Sequence, residues 1–169
     1  MISIKPLTNR KLLNVIPLVI AIFIASIGTF YDWWNLRIPI GPFYLGHLFG
    51  IIGASWIAIF TPIFVLLRRR SPQYSKMLVD IHVTGNLIAF LIFSMHFWQQ
   101  VGRPADYYPE LGTGLSLYMI LTTITVTGLL IRFRIWQRLS KSLRTTHVGL
   151  VASFYIVLTI HVLRNVGIL

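Results

Sequence analysis

The sequence predicts an all-α integral membrane protein with five transmembrane helices. Apolar residues make up 56% of the chain and charged residues only 11%, and the mean hydropathy is +0.75. These values lie far outside the range of soluble domains. Five apolar segments reach the length of about 20 residues that a hydrocarbon layer of roughly 30 Å requires. The connections between them are too short to fold separately, so we expect residues 1–169 to form one domain.

The five predicted spans cover residues 12–31, 43–67, 77–98, 113–131 and 147–163. The first span follows Lys5, Arg10 and Lys11, as a signal-peptide core would. Its apolar run exceeds the roughly 7 to 15 residues of such a core, so we interpret it as a transmembrane helix. Pro17 and Pro62 fall inside the first and second spans, where membrane helices tolerate a kink. The third and fifth spans each contain two histidines, and the fourth contains two glycines.

Basic residues are distributed unequally between the two sides of these spans. Twelve of the 15 Lys and Arg residues fall on the side of the N-terminus, whereas only Arg37, Arg103 and Arg164 fall on the other side. The positive-inside rule therefore places the N-terminus in the cytoplasm and the C-terminus outside. The net charge of +11 indicates topology and contact with anionic headgroups, and we expect no nucleic-acid partner. The absence of cysteine excludes disulfides, thiolate iron–sulfur ligation and covalent haem attachment within this sequence.

The chemistry of the chain is predicted to lie in four of its five histidines. His82 and His96 lie in the third span, His147 and His161 lie in the fifth, and both pairs are 14 residues apart. On an α-helix that separation is close to four turns, so the two imidazoles of a pair face nearly the same way, about 21 Å apart. A histidine in hydrocarbon needs partners for both a hydrogen-bond donor and an acceptor nitrogen. An ionisable residue inside the membrane is therefore a candidate functional residue.

The third and fifth spans are predicted to run in the same direction, which brings His82 level with His147 and His96 level with His161. Each facing pair can ligate the iron of one haem b, with an imidazole nitrogen from either side. The alternative is structural hydrogen bonding between helices, but two equal spacings favour haem ligation. We expect an inner haem at His82 and His147 and an outer haem at His96 and His161. His47 has no partner at such a spacing, and we expect an interfacial or hydrogen-bonding role for it.

Four further residues are expected to contact the haems. Gly114 and Gly128 in the fourth span are also 14 residues apart, and a residue without a side chain lets a porphyrin edge approach the backbone. Helix packing is the alternative explanation for these glycines. Arg103 and Arg164 lie at the depth of the outer haem, and we expect them to bind its propionates. Ordinary snorkelling of these arginines to the interface is the alternative.

The pattern H-x13-H on one helix, repeated on the next helix but one, resembles the dihaem four-helix core of cytochrome b in quinol-oxidising complexes. It is also similar to the ferric reductase-like transmembrane domain of NADPH oxidases and ferric reductases. The resemblance covers the second to fifth spans. It implies that helices 2–5 form a four-helix bundle around two stacked b haems that relay electrons across the bilayer.

Three functions fit this pattern. The one we favour is a membrane electron-transfer subunit of a larger respiratory redox complex, with other subunits as partners and a quinone as a further candidate cofactor. The second is a stand-alone reductase of external acceptors, and the third is a haem-free structural subunit. Bis-histidine ligation leaves no open position on iron, so no catalytic residue is predicted. We expect a multi-pass protein of a prokaryotic plasma membrane, because the chain is short and shows no presequence.

Overall fold

The computed structural model describes the backbone of residues 9–103 and 112–169, which is almost entirely α-helical. The helices are α1 (Asn9–Phe30), α2 (Leu45–Arg70), α3 (Ser75–Val101), α4 (Gly112–Arg132) and α5 (Ser140–Asn165). Two strands, β1 (Pro39–Ile40) and β2 (Phe43–Tyr44), form a small antiparallel hairpin. Short 3₁₀ turns at Pro72–Tyr74 and Gln137–Leu139 precede α3 and α5.

Four helical segments of the described chain are long and apolar enough to cross a membrane. They are Leu45–Arg70, Pro72–Val101, Gly112–Arg132 and Gln137–Asn165. The described side chains of α1, Val15–Phe30, form a shorter apolar helix, so the membrane crossing by residues 12–31 stays a prediction. Large apolar side chains project outward from several helices, for example Ile59 and Ile156 at 62% and 63% exposure. The all-α fold is thus confirmed, and four helices long and apolar enough to cross a membrane are found where the second to fifth spans are predicted.

The hairpin between α1 and α2 is built around a Gly-Pro pair. Pro39 pairs with Tyr44 and Ile40 with Phe43, which leaves Gly41 and Pro42 as a two-residue turn. Gly41 has a φ of +60°, as the first central position of a type II′ turn requires. The proline ring fixes a negative φ at the second position, so the sequence Gly-Pro matches this turn type.

Helix α3 is the centre of the packing. It packs on α1, α2 and α4, while α5 packs mainly on α4. Glycines let α2 approach α3 closely: Gly50 lies against the His96 ring, and Gly53 lies against the backbone of Ala89. The hydrophobic core follows these contacts. Its most buried members are Leu87, Ala89, Leu117, Leu121 and Phe154.

Side-chain contacts at the two ends of the helices give their relative directions. Trp98 donates to the Tyr118 hydroxyl at 3.1 Å near the end of α3, whereas Arg132 near the end of α4 pairs with Asp80 near the start of α3. Helices α3 and α4 are therefore antiparallel. Gly114 lies beside His161 and Gly128 beside His147, so α4 and α5 are also antiparallel. It follows that α3 and α5 run in the same direction.

A hydrogen bond links α5 to α2. The Tyr155 hydroxyl donates to the Ala58 carbonyl at 2.9 Å. Ala58 lies four residues before Pro62, and because proline has no N–H, the Ala58 carbonyl lacks its usual partner within the helix. The neighbouring helix supplies a donor instead, which is how membrane proteins accommodate an internal proline.

Candidate functional site

The four histidines of α3 and α5 lie at two levels along these helices. His82 is close enough to His147 to interact electrostatically, and His96 is similarly close to His161. All four side chains are partly buried. Helices α3 and α5 are not among the extensively packed pairs of the described chain, so the two members of each pair belong to helices that are not in extensive contact.

His96 is held by α2. Its Nδ1 lies 2.9 Å from the Gly46 carbonyl oxygen, which can only accept, so Nδ1 carries the proton and donates. Nε2 is consequently unprotonated and presents a lone pair. The ring lies directly over Gly50, where a Cβ would fall 2.8 Å from two ring carbons. Both the tautomer and the position of this imidazole are therefore set by the backbone of α2.

His147 has the same tautomer, fixed by α4. Its Nδ1 lies 3.0 Å from the Thr127 hydroxyl oxygen. The single hydroxyl proton of Thr127 is directed to the backbone carbonyls of Thr123 and Ile124, at 2.8 and 3.0 Å. The hydroxyl oxygen must therefore accept from the Nδ1–H of His147, and Nε2 again presents a lone pair. A Cβ on the adjacent Gly128 would lie 3.2 Å from the His147 ring.

His161 repeats this arrangement at the other level. Its Nδ1 lies 2.9 Å from the Thr113 hydroxyl, and a Cβ on Gly114 would lie 3.7 Å from its ring. Asn165 donates to the His161 carbonyl at 2.7 Å, and the same amide nitrogen lies 3.4 Å from Nε2. Helix α4 thus presents a Thr-Gly pair to each histidine of α5.

His82 is positioned by an aromatic ring and an amide. It stacks on Phe64 of α2, with ring centroids 4.3 Å apart and planes 15° apart. Its Nδ1 lies 3.3 Å from the amide nitrogen of Asn86, whose buried Oδ1 has no hydrogen-bond partner among the described residues. Rotating that amide by half a turn presents Oδ1 to Nδ1–H, satisfies the oxygen and gives His82 the same tautomer as His96 and His147.

The threonines were not among the predicted site residues, although the sequence contains their signal. Thr113-Gly114 and Thr127-Gly128 repeat the same dipeptide at the same 14-residue spacing as the histidines. The spacing of the glycines alone gave the expectation of haem contact. Structurally both glycines lie beside the α5 imidazoles, and the threonines before them hold those imidazoles.

The arginines expected near the outer haem lie at the end of the molecule that carries His96. Arg103 follows α3 and interacts electrostatically with His47, His96 and Arg37. Burial and the nearby Arg37 guanidinium lower the pKa of Arg103, an effect that Tyr44 partly offsets. Arg164 is exposed near the end of α5.

His47 lies at the start of α2, next to His96. Its Nδ1 accepts from the Tyr44 backbone N–H at 3.4 Å, and its ring centroid lies 5.9 Å from that of His96. This geometry agrees with the expected hydrogen-bonding role for His47. The contact places its imidazole at the first turn of α2, where backbone N–H groups lack partners within the helix.

Within the described residues, no group of three or more His, Asp or Glu side chains converges to hold a bare metal ion. A bis-histidine haem needs only two protein ligands, because the porphyrin supplies the others. Comparison of the chain with protein-family models, curated proteins and solved structures gives no match. The functional conclusion therefore depends on the geometry of the side chains.

Proposed function

We propose that this chain is the membrane electron-transfer subunit of a larger redox complex, carrying electrons between two b haems. His82 and His147 ligate one haem, and His96 and His161 ligate the other. The observation that carries this proposal is that His82 lies within electrostatic range of His147, and His96 within range of His161, on helices that run in the same direction. A structural role for the histidines would not require matched levels.

The tautomers support the proposal. His96 and His147 donate from Nδ1 to a carbonyl and to a hydroxyl oxygen, at 2.9 and 3.0 Å. An Nδ1–H bond of this kind orients a metal-ligating histidine and raises the basicity of its other nitrogen. When bound, haem supplies one-electron redox chemistry at its iron. The chain supplies the oriented imidazoles.

The distribution of charge supports the same arrangement. Two guanidinium groups, Arg37 and Arg103, lie within electrostatic range of each other, and Arg37 also pairs with Asp32 at 2.9 Å. Adjacent cations repel, so an anion placed between them is favoured. Haem propionates are such anions, and Arg103 is the arginine of this pair that also interacts with His96.

Electrons would cross most of the membrane through the two haems. The 14-residue spacing in α3 and α5 separates the two levels by about 21 Å, against a hydrocarbon thickness of roughly 30 Å. With the N-terminus in the cytoplasm and the C-terminus outside, the pair at His82 lies towards the cytoplasm. Electrons would have to enter and leave through other molecules, because two histidine ligands per haem would leave its iron no open coordination position.

The test is a pyridine haemochrome assay with a measured haem-to-protein ratio on chain purified from its native membrane. We expect two b haems per chain and a six-coordinate low-spin spectrum. His82→Ala or His147→Ala should remove one haem, and His96→Ala or His161→Ala the other. His47→Ala is the matched control and should retain both. Haem-free protein, or a spectrum unchanged by the combined variant His96→Ala and His161→Ala, would refute the proposal.

A further inference from the structure

A groove of about 620 Å³ runs along the contact between α2 and α3, and none of the four histidines of α3 and α5 lines it in the described chain. It extends from Lys76, in the first turn of α3, to Gly85, which lies against the indole of Trp56 on α2. The helix rises about 13.5 Å between Lys76 and Gly85, close to half of a hydrocarbon layer of roughly 30 Å. This α2–α3 groove therefore has about the length of one lipid leaflet.

The polar side chains of the α2–α3 groove share one face of α3. Lys76, Asp80 and Thr84 follow one another at four-residue intervals, which places them one above the other on the helix surface. The rest of the lining is apolar and consists of Trp56, Met77, Ile81 and Gly85. Both charges lie near the start of α3, whereas Trp56 and Gly85 lie at the far end. The groove thus has a charged end and an apolar end, which matches an amphiphile.

The three polar side chains have groups left to bind a ligand. The Lys76 ammonium is exposed and has no partner among the described residues. The Asp80 carboxylate pairs with Arg132 through one oxygen, yet its side chain remains 47% exposed. The exposed Thr84 hydroxyl makes no hydrogen bond to a described residue, whereas the Thr122 hydroxyl bonds to a carbonyl of its own helix. The groove therefore offers a cation, an anion and a hydroxyl.

Asp80 makes this groove different from the basic surface around it. The sequence contains four acidic residues, and the other three, Asp32, Asp106 and Glu110, lie in the connections at the opposite end of the helices. The many Lys and Arg residues at the end where α3 begins attract anionic headgroups. A carboxylate repels such a headgroup and attracts a cation. A zwitterion with a phosphate next to an ammonium satisfies Lys76 and Asp80 together, whereas an anionic lipid satisfies only Lys76.

We infer that the α2–α3 groove binds one phosphatidylethanolamine from the leaflet at the start of α3. The lipid phosphate accepts from the Lys76 ammonium, and the lipid ammonium donates to the Asp80 carboxylate. The Thr84 hydroxyl, one turn deeper, donates to an ester carbonyl of the lipid, and an acyl chain lies against Trp56 and Gly85. Phosphatidylcholine fits less well, because its quaternary ammonium has no N–H to donate to a carboxylate. This lipid site goes beyond the proposed electron-transfer function and requires no haem.

Binding is measured by native mass spectrometry of the purified chain in detergent, titrated with dioleoyl-phosphatidylethanolamine. We expect one tight site, to which dioleoyl-phosphatidylcholine and dioleoyl-phosphatidylglycerol bind at least about tenfold more weakly. Lys76→Gln should weaken binding about tenfold, the effect of one lost charge-assisted hydrogen bond. Asp80→Asn should remove the preference for phosphatidylethanolamine over phosphatidylcholine, and Thr84→Trp, which fills the groove, should abolish the site. Lys141→Gln is the matched control, because Lys141 is an exposed lysine in the first turn of α5 and does not line the groove.

Three results would overturn the phosphatidylethanolamine site. Tighter binding of phosphatidylglycerol would mean that the groove selects negative charge. Equal binding of phosphatidylcholine would mean that Asp80 does not recognise the ammonium. The third is unchanged affinity in both Lys76→Gln and Thr84→Trp, each shown to be folded by its elution as a single species. The groove contains none of the proposed haem ligands, so haem content measured on the same preparations shows separately whether the proposed function fails.

Discussion

At the scale of single residues, the hydrogen bond made by Nδ1 of an imidazole determines whether its Nε2 presents a lone pair to a metal. The Gly46 carbonyl and the Thr127 hydroxyl engage Nδ1 of His96 and His147. These contacts come from neighbouring helices, so each of these two histidines is oriented by a helix other than its own. A histidine held in this way loses little freedom when Nε2 binds a metal, which favours tight binding.

We predict that Thr127→Val weakens retention of the haem at His147. The hydroxyl that accepts from Nδ1–H is lost, and removal of such an outer partner typically costs on the order of tenfold in affinity. The measurement is haem transfer from the variant to excess apomyoglobin. Thr123→Val is the control, since the Thr123 hydroxyl bonds only to the Met119 carbonyl. Equal transfer rates in Thr127→Val and the wild type would contradict the predicted role.

We expect substitution by alanine to have a larger effect at Gly128 of α4 than at Gly114. A Cβ at position 128 would lie 3.2 Å from the His147 ring, whereas one at position 114 would lie 3.7 Å from the His161 ring. Gly128→Ala should therefore displace its imidazole by a few tenths of an ångström, while Gly114→Ala makes an ordinary contact. We expect Gly128→Ala to shift one low-spin haem signal in the electron paramagnetic resonance spectrum, the signal that His147→Ala removes. A larger shift in Gly114→Ala would contradict this order.

Sequence reasoning found the histidines because their residue type is rare in hydrocarbon and their spacing is regular. It did not find Thr127, because threonine in a membrane helix commonly bonds to its own backbone and carries no metal-ligand signal by itself. The pairing of Asp80 with Arg132 could not be predicted from the sequence either. Its partners are 52 residues apart, and only the packing of α3 on α4 brings them together.

At the scale of helices, apolar windows predicted where the helices lie but not where they begin and end. Helix α5 begins at Ser140, seven residues before the predicted span at 147. The extra turns contain Lys141 and Arg144. Their charges disfavour a position in hydrocarbon, but the helical hydrogen bonds continue through them. Hydropathy measures the segment that fits the bilayer, whereas the helix extends until its backbone finds other partners.

The contact between α5 and α2 can be tested by a double-mutant cycle on Tyr155 and Pro62. Tyr155→Phe should destabilise the fold by about 1 kcal/mol, because the Ala58 carbonyl then has no donor. Pro62→Ala restores a backbone N–H that can reach the same carbonyl, so the cost of Tyr155→Phe in that background should fall below about 0.5 kcal/mol. Unfolding in mixed detergent measures all four members of the cycle. Tyr74→Phe, at an exposed tyrosine, is the control. If Tyr155→Phe lowered the free energy of unfolding equally with Pro62 and with Ala at position 62, the hydrogen bond from Tyr155 would not compensate for the missing N–H of the proline.

At the scale of the whole molecule, the relay requires that the two histidine levels lie at different depths of one bilayer. The parallel course of α3 and α5 depends on α4 crossing between them, and the contacts at both ends of α4 support that course. The distribution of basic residues adds an orientation. Together they predict that the connection between α2 and α3 lies in the cytoplasm and the end of α5 outside.

The absence of cysteine makes this orientation directly testable by labelling of single introduced cysteines. Ile38 and Ile168 are 47% and 69% exposed, and Gln73 is also exposed. In intact cells, a membrane-impermeant maleimide should label Ile38→Cys and Ile168→Cys but label Gln73→Cys only after permeabilisation. Labelling of Gln73→Cys alone would reverse the orientation and leave the relay intact. Labelling of Gln73→Cys and Ile168→Cys from the same side would mean that α3, α4 and α5 do not make three crossings. The histidine pairs would then not lie at two depths of the same membrane, and an electron could not cross it through them.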